Sequence, residues 1–355
     1  MGEIKLMKGN EALAEAAIRA GCDAYFGYPI TPQSEVIEYL AAEQPEKRTG
    51  MVLLQAESEL AAINMVYGAA ATGKKAMTSS SSPGISLMTE GISYLAGAEL
   101  PCVIVNVVRG GPGLGTIQPS QADYFQAVKG GGHGDYKMLV LAPDSVQEMA
   151  DFTRLAFDLA FKYRNPVMIL SDGVIGQMME KVELFEQIPR KHEIDHSWMA
   201  VGKPKHRPHN IITSLFLDPY VCEERNLKIQ KKYRQMEREE VRFEKYLCDD
   251  AVYLIVAYGS SARISRKAVD ILRQMGYKAG LLRPITLYPF PSAELQRLSS
   301  QLKGILSVEM SAGQMVEDVK IAINGKVPVF HFGRFGGVVH SPEEVRDAFV
   351  SLFKK

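Results

Sequence analysis

The sequence predicts an α/β fold, with a parallel-sheet domain followed by a second, smaller α/β domain. Apolar runs of strand length alternate with helix-length stretches from residue 10 to about 180, and the alternation resumes at Ala251. Strands separated by helices of this length imply a parallel sheet covered on both faces. With 355 residues the chain is long enough for two separate cores.

In chain order, Glu11 to Ala20 reads as a helix, Cys22 to Gly27 as a strand, Gln33 to Ala42 as a helix and Met51 to Gln55 as a strand. Glu59 to Thr72 is an Ala-rich helix stopped by Gly73, followed by a strand from Lys75 to Thr78. Pro83 to Ala98 reads as a helix and Pro101 to Val108 as a buried strand; Ser145 to Tyr163 and Val167 to Ser171 repeat the pattern. It then stops. Ile188 to Tyr220 is polar and aperiodic with the single tryptophan, Trp198, and Glu223 to Tyr246 is one highly charged helical stretch. Such a helix is either a solvated connector or a partner-binding surface. From Ala251 come a strand (Val252 to Ala257), the turn Gly259-Ser260-Ser261, a helix (Ala262 to Gln274) and a strand (Lys278 to Arg283). Strands from Ile305 to Glu309 and from Pro328 to Phe332 and a helix from Pro342 to Phe353 close the chain. The expected divisions are 1–187, a connector over 188–249, and 250–355.

Composition excludes several classes of function. Lys plus Arg equal Asp plus Glu at 41 each, which argues against a nucleic-acid or membrane-surface partner. No apolar run reaches membrane-spanning length and the first residues lack a signal core, so a cytoplasmic protein is expected. Cys22, Cys102, Cys222 and Cys248 lie far apart without a Cys-x-x-Cys pair, so neither a zinc site nor an iron–sulfur cluster is written locally.

Four stretches could carry chemistry. In Gly27-Tyr28-Pro29-Ile30-Thr31-Pro32 two prolines stiffen the end of a strand and hold the Thr31 hydroxyl out where parallel sheets bind ligands; an ordinary stiff turn, with Pro32 opening the helix, fits equally. Glu57 and Glu59 sit where a strand gives way to a helix, a place that favours a carboxylate whether it caps the helix or serves a ligand. Arg109 ends a buried strand, and its planar fork suits a carboxylate, of a substrate or of a salt bridge. The glycines at 110, 111, 113 and 115 do not follow the Gly-x-Gly-x-x-Gly order and Pro112 interrupts them, which rejects a dinucleotide loop; a flexible wall of a substrate pocket, extending to His133, is expected instead. Ser79-Ser80-Ser81-Ser82-Pro83-Gly84 has the form of a helix cap. No residues show metal-ligand spacing.

Tyr28-Pro29-Ile30-Thr31-Pro32 with Ser34 and Glu35 resembles the signature of the α subunit of 2-oxoacid:ferredoxin oxidoreductases. The resemblance continues through Gln55 to Glu59, Thr78 to Gly84, Arg109-Gly110-Gly111-Pro112 and Arg283 to Phe290, and so covers nearly the whole chain. It implies a thiamine diphosphate pyrimidine-binding domain and a transketolase C-terminal-like domain. It implies that Glu57, with Glu59 as the fallback, hydrogen-bonds the aminopyrimidine ring and shares a proton with it. Tyr28, Pro29 and Ser82 would line the cofactor, and Thr31 and Arg109 would hold the carboxylate of the 2-oxoacid. Residues 111–126, Gly-Pro-Gly-Leu-Gly-Thr-Ile-Gln-Pro-Ser-Gln-Ala-Asp-Tyr-Phe-Gln, look most like the branched-chain (3-methyl-2-oxobutanoate, ketoisovalerate) type. A 2-oxoglutarate enzyme would need a further cation, for which Lys129, His133 and Lys137 are the neighbours in sequence; the 2-oxoglutarate and pyruvate types and a non-catalytic assembly subunit stay as alternatives. The chain has no Gly-Asp-Gly diphosphate segment and no cluster cysteines. The resemblance therefore puts the diphosphate and Mg²⁺ on a β subunit, the iron–sulfur clusters and CoA on ferredoxin-like and γ subunits, and ferredoxin at the end of the electron path.

Overall fold

The computed structural model describes residues 3–189, 195, 197–203, 205 and 208–353. Strand β1 (Glu3–Lys8) leads into α1 (Gly9–Arg19), β2 (Ala24–Gly27), α2 (Ser34–Glu43), a one-turn α3 (Pro45–Thr49), β3 (Val52–Gln55), α4 (Glu59–Ala71), β4 (Ala76–Ser80), α5 (Ser82–Gly97) and β5 (Cys102–Val108). There follow α6 (Tyr124–Val128), β6 (Leu139–Leu141), α7 (Val146–Tyr163), β7 (Pro166–Asp172), α8 (Gly173–Gln177), β8 (Met179–Leu184) and α9 (Pro219–Glu239). The rest is β9 (Phe243–Tyr246), β10 (Tyr253–Val256), α10 (Gly259–Gln274), β11 (Ala279–Pro284), β12 (Thr286–Tyr288), α11 (Ser292–Ser299), β13 (Gly304–Glu309), α12 (Met315–Ile323), β14 (Val329–Gly333) and α13 (Pro342–Leu352).

The larger sheet runs β12-β6-β7-β5-β4-β2-β3, parallel except for β12 at its edge. Its central strand shows why both faces are filled: Val103, Val105 and Val107 pack with Leu13, Leu40 and Phe157 of α1, α2 and α7, while Ile104 and Val108 pack with Ile63, Val66, Met88 and Ile92 of α4 and α5. The period of two sends alternate residues to opposite helical layers. The smaller sheet runs β14-β13-β10-β11-β9, with only β9 antiparallel. Strands β1 and β8 form a separate antiparallel pair.

Several sequence expectations shift. Pro32 does not open a helix, because α2 starts at Ser34 with Gln33 as its N-cap. Ser79 and Ser80 belong to β4, Ser81 is the N-cap of α5 without a side-chain cap bond, and Ser82 is the first helical residue, so half of the serine run is buried strand and none of it caps the helix through a hydroxyl. The charged stretch is not one helix: α9 ends at Glu239, and Phe243–Tyr246 pairs with β11 in the second sheet. Nor is α9 a solvated connector, since Ile229, Tyr233 and Met236 are buried in the core beside α7. Its Lys228 and Lys232 also reach the buried Glu99 at 2.8 and 3.5 Å. Of the expected connector, residues 190–194, 196, 204, 206 and 207 lie outside the described residues. The strands β1, β6, β8, β9 and β12 and the helices α11 and α12 are additions that periodicity did not signal, most of them too short to show it.

The two sheets are joined by buried polar contacts. Gln121 donates to the Tyr258 carbonyl at 2.8 Å and accepts from the Ser261 hydroxyl at 2.6 Å and the Met310 amide at 2.9 Å. The Ser260 hydroxyl donates to Asp172 at 2.6 Å, and Arg263 bonds Glu180 across the same seam at 2.6 Å. Glu309 takes the Gln314, Met315 and Val316 amides at 2.9, 3.0 and 2.9 Å, which makes it the cap of α12.

Candidate active site

The Tyr28 to Pro32 turn is held from beneath. Gly27 allows the Tyr25 ring to pass under it, for a Cβ there would lie 2.5 Å from the Tyr25 hydroxyl oxygen. Tyr25 and Ser79 share a hydrogen bond of 2.6 Å, Ser79 donates to Gln33 Oε1 at 2.5 Å, and Gln33 donates to the Tyr28 carbonyl at 3.3 Å. From the other side Asn10 and Gln177 donate to the Pro32 carbonyl at 2.8 and 2.9 Å and to Glu35 at 3.0 and 2.8 Å. Burial opposes the charge on Glu35, but its own backbone amide, these two side-chain amides and the Lys8 ammonium hold its carboxyl below the usual range. The result is a turn whose far face, Tyr28, Pro29 and Thr31, stands exposed at the carboxyl end of β2.

The two candidate glutamates part company here. Glu57, in the loop between β3 and α4, is exposed. Ser58 caps α4 by accepting from the Ala61 amide at 3.2 Å, and this turns Glu59, the first helical residue, inward, leaving it 5% exposed. Ser80 donates to Glu59 Oε1 at 3.3 Å. A Cβ on Gly84 would collide with that carboxylate oxygen and with the Ser80 hydroxyl, so the glycine lets both side chains pack directly against the first turn of α5. The hydroxyls of Thr78 and Ser81, buried nearby on β4 and just after it, have no hydrogen-bond partner among the described residues.

Arg109 follows β5 and is almost wholly buried. It donates from Nη1 to the Thr31 carbonyl and from Nη2 to the Leu114 carbonyl, both at 3.0 Å, while Nε has no partner. Among the described residues no carboxylate lies within ion-pair range of it, which removes an intrachain salt bridge as its role. The Ser82 hydroxyl accepts from the Arg109 amide at 3.0 Å, and the Ser82 amide, at a positive φ of 20°, donates to Asn106 at 3.0 Å. Asn106 in turn donates to Asp123 at 2.9 Å. Burial pushes the Asp123 carboxyl up, while the Ser82 and Asn106 hydrogen bonds oppose. The structure thus brings Thr31, Ser82 and Arg109 together at one end of the sheet, with Tyr28 and Pro29 on the same turn and Glu59 behind Ser80. It leaves Glu57 outside. Asn10, Gln33, Asn106, Asp123 and Gln177 build the site without having been legible as part of it, since single amides and carboxylates carry no spacing signal.

The glycine-rich loop is a closed structure rather than a loose wall: Gly110 donates to the Gln118 carbonyl at 2.9 Å and Thr116 donates to the Gly110 carbonyl at 2.8 Å. Lys129 pairs with Asp318, and the Lys137 ammonium lies over the Tyr288 ring, 5.7 Å from its centre. A cavity of about 910 Å³ lies elsewhere, among Lys129, Phe243, Tyr288 and Arg297.

The thiamine diphosphate-binding family of pyruvate flavodoxin/ferredoxin oxidoreductases matches residues 15–247, and core domain II of pyruvate:ferredoxin oxidoreductase matches 251–345. This chain belongs to the 2-oxoacid:ferredoxin oxidoreductase family. It is 54% identical over 333 residues to the ketoisovalerate oxidoreductase subunit VorB of Methanothermobacter marburgensis, covering 94% of this chain and 93% of that one. It is 38% identical to the 2-oxoglutarate synthase subunit KorA of Methanocaldococcus jannaschii, over 98% of this chain and 99% of the relative. Among solved structures, the 2-oxoglutarate:ferredoxin oxidoreductase of Magnetococcus marinus, with 2-oxoglutarate, coenzyme A and succinyl-CoA bound, superposes with a TM-score of 0.87 at 28% identity, covering 99% of this chain and 65% of that one. An inactive split-gene transketolase matches in fold, with a TM-score of 0.60 at 14% identity. The family member is a thiamine diphosphate-dependent oxidoreductase subunit that works with partner subunits. No helix among the described residues is long and apolar enough to cross a membrane.

Proposed function

We propose that this chain is the α-type subunit of an oxidoreductase that decarboxylates a branched-chain 2-oxoacid and forms an acyl-CoA, with the electrons leaving to ferredoxin. The observation that supports it is Arg109: a buried guanidinium with no carboxylate partner, aimed between the Thr31 carbonyl and the glycine loop. A guanidinium so placed gains most by binding a carboxylate from outside the chain. The relatives support the branched-chain substrate, since identity to a ketoisovalerate subunit exceeds that to a 2-oxoglutarate subunit.

When bound, thiamine diphosphate supplies the carbanion stabilisation that 2-oxoacid cleavage needs. Glu59, buried beside Ser80, rather than the exposed Glu57, is the carboxyl placed to hydrogen-bond its pyrimidine ring and hold a proton there. Ser82 holds the Arg109 backbone, and Thr31, an exposed residue, gives its carbonyl to the guanidinium and has its hydroxyl to offer the substrate. Tyr28 and Pro29 form the outer lip. The diphosphate and Mg²⁺ belong to a β subunit, and the iron–sulfur clusters and CoA to further subunits. The test is a panel of 2-oxoacids assayed for CoA-dependent viologen reduction by the co-expressed complex. Preference for 3-methyl-2-oxobutanoate supports the reading, and preference for 2-oxoglutarate or no turnover overturns it.

A further inference from the structure

The loop that Arg109 opens carries two large apolar side chains into solvent: Leu114 is 80% exposed and Ile117 56%. Exposed singly, such residues mean little. These two are different, because the Leu114 carbonyl is itself a ligand of the Arg109 guanidinium at 3.0 Å. Gly113 and Gly115 flank Leu114 with positive φ of 69° and 58°, a backbone that presents the residue at the tip of a tight turn. The loop is braced from the second sheet: a Cβ on Gly337, after β14, would lie 2.6 Å from Gln118 Cβ and 2.7 Å from Thr116 Cγ2. A rigid, apolar tip therefore stands beside a carboxylate anchor.

We infer that Leu114, with Ile117, reads the side chain of the 2-oxoacid whose carboxylate sits on Arg109, and that Gly337 positions the loop that carries them. In 3-methyl-2-oxobutanoate the branch carbon is separated from the carboxyl carbon by the keto carbon alone. A substrate held at Arg109 thus brings its branch up to whatever apolar group shares that guanidinium. The same loop disfavours a distal carboxylate, which would desolvate against Leu114 and Ile117 without a cation to meet it. Of the three basic residues that follow in sequence, Lys129 is taken by Asp318, Lys137 lies over Tyr288 and His133 lines a separate pocket with Tyr94 and Phe216. This inference rests on Arg109 as the carboxylate anchor.

The test compares kcat/KM of the complete complex for 3-methyl-2-oxobutanoate, 4-methyl-2-oxopentanoate, pyruvate and 2-oxoglutarate, with subunit association followed by gel filtration. Leu114→Ala should lower the ratio of branched acid to pyruvate about 10- to 200-fold, the range for removing apolar contact in a specificity pocket. Leu114→Arg should raise 2-oxoglutarate relative to the branched acids, and Gly337→Ala should change the same ratios with less effect on bound thiamine. An equal loss on all four acids, or unchanged ratios, overturns the inference. If Leu114→Ala releases a partner subunit, Leu114→Met decides: it keeps the tip apolar, so altered ratios in an intact complex support substrate reading, and unaltered ratios assign Leu114 to the partner interface. Failure of the anchor itself gives a separate result, namely an Arg109→Ala complex whose KM is unchanged for every acid.

Discussion

Glu57 and Glu59 stand two residues apart, and a single capping serine between them separates an exposed carboxylate from a buried one. If Glu59 is the proton-holding group, Glu59→Gln should slow exchange of the C2 proton of bound thiamine diphosphate, measured by NMR, by about 10²–10⁴-fold, the usual contribution of a general acid–base step. Glu57→Gln should exchange at the parental rate; the opposite pattern would restore Glu57. Arg109→Ala should raise KM for the 2-oxoacid while thiamine stays bound, at a cost of about 2–5 kcal/mol for a desolvated charge pair that loses one partner. Arg109→Lys should recover only part, because an ammonium cannot make the two-pronged contact. Steady-state kinetics across the acid panel, read beside thiamine content, checks both.

Helix α9 shows how an element can mislead when only its charges are read. Most of its surface is Glu, Arg and Lys, yet one face carries Ile229, Tyr233 and Met236 into the core against α7. The half-buried Lys232, its ammonium pushed down to about 8 by desolvation against the pull of Glu99, belongs to the same seam. Met236→Ala should therefore destabilise the protein by about 2–5 kcal/mol, as truncation of a buried methionine does, and leave subunit association intact. Denaturant titration with gel filtration distinguishes this from a docking helix, whose truncation would release a partner at unchanged stability. The serine run is the complementary case. The hydroxyls of Ser79, Ser80 and Ser82 go to Gln33, Glu59 and the Arg109 backbone rather than to the helix they precede, and that of Ser81 has no partner among the described residues.

Across the whole molecule the two sheets meet at a buried charge cluster. Arg283, on β11, is nearly inaccessible and faces Asp144 at 3.1 Å, Glu244 at 3.4 Å and Glu148, three carboxylates for one guanidinium. Burial raises the Asp144 carboxyl to about 6; Arg283 opposes this, and Glu148 and Glu244 add to it. Arg263 also reaches the Asp144 carbonyl at 3.4 Å. A carboxyl raised in the folded state contributes stability that is complete below its unfolded pKa, about 3.9, and is lost as pH rises through its folded value near 6. Asp144→Asn lacks that titration, so its stability relative to the natural protein should improve between pH 4.5 and pH 7.5. Denaturant midpoints of both proteins at the two pH values measure this, and a constant difference would refute the raised pKa.

Much of the architecture was legible because its signals are local. Alternating strand and helix lengths marked the parallel sheet, the double proline marked the turn at Thr31, and an arginine ending an apolar run marked Arg109 at the sheet's carboxyl end. The family resemblance tied the chain to thiamine chemistry, and the family comparison bears that membership out. What sequence spacing could not decide was direction. Whether Glu57 or Glu59 turns inward depends on the Ser58 cap and on the close approach to α5 that Gly84 permits. Whether Arg109 has a carboxylate of its own depends on residues brought near by distant parts of the chain, as do the clamp of Asn10 and Gln177 on Pro32 and the brace of Gly337 on the glycine loop. Side-chain type and local period are written along the chain; burial and partnership arise only when separate segments pack against one another.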